Sequence, residues 1–163
     1  MGAITNEEAK EIAAKKERER IFNSLLYEYD SLTRQLDKLN AYFFITIDCI
    51  ERIFETENLI TESIYYMDMV EVTESEFKIG PKYNELVKKC TGTISSKKIS
   101  FDQTKQQIRE TQKCLIKDME ILGDQLEKTY HEMEYYKRTC DFALPLKVNP
   151  TNYIQHFQRV MGE

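Results

Sequence analysis

A chain of 163 residues with 41% apolar and 31% charged side chains is long enough for one domain, short for two, and too rich in Leu, Ile, Phe and Tyr to be disordered. Its formal net charge of −5 argues against a general nucleic-acid binder, so no nucleic-acid partner is expected. No transmembrane segment is expected either: a span needs about 18 or more apolar residues, and Asp48, Glu51 and Arg52 interrupt the most apolar region.

In chain order, Thr5-Asn6-Glu7-Glu8 opens with the pattern of a capping box, in which the Thr5 hydroxyl and Glu8 carboxylate satisfy the free amides of a helix start. Residues 5–20 form a charged leader of little but ionic side chains and alanine. Glu11 and Lys15 stand at the favourable four-residue spacing, and with little to bury the leader should project or fray.

From residue 21 to 70 the first long arm carries a heptad pattern. One series is Phe22, Tyr29, Leu36, Phe43, Ile50, Glu57 and Ile64; its partner is Leu25, Leu32, Leu39, Thr46, Ile53, Ile60 and Met67. Twelve of these fourteen positions are apolar or aromatic, which demands a second helix along the seam. Leu26, Ile47 and Phe54 widen the stripe.

A turn is predicted over 71–81, where Val72, Thr73 and Ser75 weaken the helical pattern and Gly80-Pro81 ends it. A second arm over 82–140 follows, with Val87, Ile94, Phe101, Ile108, Leu115, Leu122, Thr129 and Tyr136 at seven-residue steps. Its neighbouring stripe reads as polar at Lys97, Thr104 and Thr111, then apolar at Met119, Leu126, Met133 and Cys140. Gly92, within Thr91-Gly92-Thr93, is the place for a kink or break, which would turn the chain into a three- or four-helix bundle. The helix should stop near Asp141. Pro145 and Pro150 frame an extended segment, and a short terminal helix is predicted over 150–161, capped by Asn149, with Tyr153, Phe157 and Val160 or Met161 as its apolar face.

Charge supports an antiparallel fold of these arms. Residues 51–76 have a balance of −7 and residues 78–103 one of +4, so folding near residue 77 lays opposite blocks side by side. In this arrangement Lys88, Lys89, Lys97 and Lys98 pair with the acidic arm. The expected fold is all-α: a long antiparallel helical hairpin, or coiled-coil-like bundle, with a short C-terminal helix.

Chemistry is sparse. Cys49, Cys90, Cys114 and Cys140 are scattered without CxxC spacing, and no apolar signal-peptide core is seen. Reduced thiols in a cytoplasmic chain are therefore expected, with export without a cleaved signal left open. His131 and His156 are too far apart for a metal-ligand pair, and the second Glu-x-x-His that would go with Glu132, Glu134 and His131 is missing. There is no nucleophile elbow and no glycine-rich phosphate loop, so no catalytic, cofactor or metal residue is assigned.

The function these features imply is protein–protein interaction, as a coiled-coil adaptor or structural subunit of a complex, in a homo- or hetero-oligomer. Candidate interface residues are Phe22, Leu25, Leu32, Leu36, Leu39, Phe43, Ile50, Ile53, Tyr65, Tyr66, Met67, Leu115, Leu122, Leu126, Tyr136, Tyr153 and Phe157. Two alternatives remain. A secretion-associated small helical hairpin, or its chaperone, would often carry a Trp-x-Gly turn, and this chain has no Trp. A peripheral membrane-binding helical dimer would need a basic concave face.

Overall fold

The computed structural model describes residues 2–69, 80–140 and 142–162. It is 89% helical, and among the described residues it holds three helices and no strand: α1 (Asn6–Met69), α2 (Gly80–Cys140) and α3 (Thr151–Val160). The two long helices pack against each other as an antiparallel hairpin. The predicted turn falls largely on residues 70–79, and the stop near Asp141 on residue 141; both lie outside the described residues. Gly80 and Pro81 belong to the first turn of α2 instead of ending α1. There the missing proline N–H costs nothing, because first-turn amides have no partner within the helix.

The capping box forms as the sequence implies. The Thr5 N–H donates to Glu8 Oε2 at 3.0 Å, and the Glu8 N–H donates to Thr5 Oγ1 at 3.2 Å. The leader is helical from Asn6 and exposed through Glu17; its ion pair is Glu17 with Arg20 at 2.7 Å, not Glu11 with Lys15. Every seam position of α1 whose side chain is described is buried or half-buried, from Phe22 to Ile64. Met67's side chain lies outside the described residues.

The chain divides into two compact units, residues 1–42 with 114–163, and residues 43–113. The first unit holds most of the buried apolar residues: Phe22, Leu25, Tyr29, Leu32 and Leu36 from α1, and Ile116, Met119, Leu122, Leu126 and Met133 from α2. Phe157 of α3 joins them at 0% exposure. α3 docks through Pro150, Ile154, Phe157 and Met161, a helical spacing that leaves Tyr153 48% exposed. The predicted face was thus right at Phe157 and Met161 and wrong at Tyr153. The N-cap position of α3 is Pro150, which has no side-chain cap, so Asn149 is not the cap the sequence suggested. Its carboxamide oxygen instead accepts from the Thr151 N–H at 3.0 Å and the Thr151 hydroxyl at 2.6 Å in a turn leading into the helix. At the other end Gly162, at φ +80°, takes the left-handed conformation that closes helices.

The second unit is the polar part of the seam. Stepping back by sevens from Met119 reaches Gln112 and Lys105, which are buried and half-buried; Lys97, Thr104 and Thr111 are exposed and lie off the seam. Gln112 donates to Thr46 Oγ1 at 3.0 Å, and Lys105 lies 2.9 Å from Glu57 Oε1. α2 runs unbroken through Gly92, which rules out the break considered there and the three- or four-helix bundle built on it. The flanking Thr91 and Thr93 hydroxyls bond back to the Val87 and Lys89 carbonyls at 2.9 and 3.0 Å. With Val87 and Ile94 half-buried on the seam, one glycine's helix cost of about 1 kcal/mol is too small to break it.

The expected pairing between charge blocks does not join the arms among the described residues, which leave out Glu71, Glu74, Glu76 and Lys78. Among the described residues Glu57 is the acidic-block residue with a partner on α2, and that partner, Lys105, lies outside the basic block. Lys82, Lys88, Lys89, Lys97 and Lys98 are exposed, and the ion pair recorded for Lys89 is with Glu85 of its own helix. Long exposed side chains gain too little from pairing to hold a fixed geometry.

Candidate protein-binding surface

Eight of the residues expected at an interface are buried: Phe22, Leu25, Leu32, Leu36, Phe43, Leu122, Leu126 and Phe157. Leu39, Ile50, Ile53, Leu115 and Tyr136 are half-buried. Tyr65, Tyr66 and Tyr153 are exposed, at 61%, 64% and 48%. The heptad pattern therefore marks side chains mostly covered within the hairpin, while the exposed large apolar side chains lie off it.

In the first unit one such surface is a groove between the long helices. Leu39 and Tyr42 from α1 and Ile121 and Leu122 from α2 form its floor, with Gln35, Lys38, Asp118 and Gln125 around the rim. Tyr42 is 53% exposed and Ile121 56%, large apolar side chains turned outward from an otherwise closed seam. Sequence reasoning missed both, because it followed the stripe that repeats every seven residues and these two lie beside it.

The same unit contains a tyrosine clasp. Tyr29 on α1 and Tyr130 on α2 meet with ring centroids 5.6 Å apart and hold the extended segment after α2. The Val148 N–H donates to the Tyr29 hydroxyl at 2.6 Å, which in turn reaches the Leu146 carbonyl at 3.4 Å. Tyr130 donates to the Pro145 carbonyl at 3.2 Å, and Phe142 stacks on Phe22 at 4.5 Å. Burial pushes the Tyr29 hydroxyl's pKa up, partly offset by the Val148 amide. Gly123 allows the final approach: a Cβ there would sit 2.8 Å from Pro150 Cγ. A cleft of about 200 Å³ remains beside it, lined in part by Glu120, Asp124, Glu127 and Lys147.

In the second unit Phe44, Ile45, Leu59, Leu86 and Ile99 are exposed, and Lys105 Nζ lies 4.8 Å over the Phe54 ring. The Glu57 hydrogen bond holds the Lys105 pKa above its ordinary value, with Asp102 adding to it.

Groups able to do chemistry are dispersed. No cluster of three potential metal ligands occurs among the described residues. His131 is exposed, between Glu127 at 3.6 Å and Glu134 at 3.7 Å rather than beside Glu132. Cys49, Cys90 and Cys114 are free thiols. No described helix is long and apolar enough to cross a membrane. No protein-family profile, curated protein or solved structure matches the chain.

Proposed function

We propose that this chain is a non-enzymatic helical hairpin that binds another protein, as an adaptor or structural subunit of a cytosolic complex. The observation that carries this reading is the groove of Leu39, Tyr42, Ile121 and Leu122. It is an apolar trough between two helices, with two large side chains half in solvent. A trough of this kind accepts the apolar face of a third helix, as in helix bundles and helix-in-groove complexes. Its rim of one lysine, one aspartate and two glutamines offers hydrogen bonds without a dominant charge, which suits an amphipathic helix better than a polyanion.

The test is affinity capture with Tyr42→Glu and Ile121→Glu beside the unchanged chain. Both side chains are half-exposed, so circular dichroism should report an unchanged helical fold. Partners held by the unchanged chain should be lost. Recovery of the same partners by both variants refutes the groove as the binding surface.

A further inference from the structure

The seam of α1 does not end at Phe22. Counting back by alternating steps of four and three gives Arg18, Lys15, Glu11, Glu8 and Ile4, and these five residues, with Ile12 beside them, line one shallow groove on the leader. The leader from Asn6 to Glu17 is exposed, so the rest of the unit leaves this face uncovered as far as Lys15, with Arg18 half-buried at its end. One oxygen of Glu8 serves the capping box, and Glu17 and Arg20 pair with each other. Arg18 Nε is buried without a hydrogen-bond partner.

The order along the groove is acid, acid, base, base. In an antiparallel coiled coil each seam residue of one strand meets the opposite seam series of the other. Setting Glu11 against Lys15 of a second copy then sets Glu8 against Arg18, and the two-fold axis repeats both pairs. Ile12 meets its own counterpart beside that axis. A parallel pairing stacks acid on acid and base on base. We propose that residues 4–18 form an antiparallel, two-fold contact with the same segment of a second copy. This surface is separate from the Tyr42 and Ile121 groove, and the contact stands independently of what that groove binds.

Four charge pairs at an exposed surface make a weak, salt-sensitive contact. Sedimentation equilibrium of the full chain at about 100 μM and about 10 mM salt should give a dimer mass, falling to the monomer near 1 M salt. The double variant Lys15→Glu, Arg18→Glu should be monomeric at low salt with unchanged helicity. Mixing it with Glu8→Arg, Glu11→Lys should restore a complex of twice the monomer mass. Ile12→Glu leaves all four charges and the cap in place, and should weaken the dimer about tenfold. Tyr42→Glu should dimerise like the unchanged chain, which separates this contact from the groove. A monomeric unchanged chain at low salt overturns the proposal. So does a Lys15→Glu, Arg18→Glu variant that dimerises normally, since that places the contact on another surface.

Discussion

Thr46 and Glu57 are the two polar residues among the fourteen seam positions of α1, and each meets a polar residue of α2, Gln112 and Lys105 respectively. Such layers specify register more than they add stability, because a one-heptad slip would set Thr46 against Met119 in one direction and Gln112 against Leu39 in the other. Lys105→Met should therefore lower stability by about 1–3 kcal/mol in urea unfolding, by stranding Glu57, whereas replacing both by Leu should cost less than either single change. Tyr29→Phe should cost about 1–2 kcal/mol and speed hydrogen exchange at the Val148 amide, because its phenol joins the last segment to the core. Lys105 and Tyr29 both hold their protons more tightly in the fold than in the unfolded chain. Their stabilisation is complete below the ordinary values of about 10 and is lost as pH rises through the folded values. The urea midpoint should thus fall on the alkaline side, and less steeply in Tyr29→Phe.

At the level of elements, the two interior glycines of α2 predict opposite outcomes. Open space surrounds a Cβ at Gly92, so Gly92→Ala should stabilise the chain by about 1 kcal/mol in thermal unfolding. The same change at Gly123 drives a methyl into the Pro150 ring. Gly123→Ala should loosen the segment after α2, read as faster exchange from Val148 to Phe157, even though the helix itself gains. The sequence treats these glycines alike, since the surroundings of Gly123 come from a proline 27 positions later. The starts of α1 and α3 were legible because start signals are local: the Thr5–Glu8 capping box, and Pro150 next to the Asn149 turn. The docking face of α3 was not. Tyr153 and Ile154 are both apolar enough to be buried, and only the surface beneath the helix chooses between them.

Across the whole molecule, apolar burial does the joining. Leu126→Ala, at a fully buried position, should cost about 2–5 kcal/mol. Among the described residues no ion pair joins the two charge blocks, so the thermal midpoint should shift little between low and high salt, while any leader-mediated dimer dissociates.

What the sequence determined alone was the element order and the inward face of both long helices, because a seven-residue repeat dictates which side chains lie on one stripe and apolar side chains require cover. The tertiary structure decided what lies off that repeat: the outward turn of Tyr42 and Ile121, the tyrosine clasp, the fit of Gly123 under Pro150, and which polar residue of α2 meets each polar residue of α1. These depend on contacts between residues far apart in the chain, whose geometry exists only once the helices have packed.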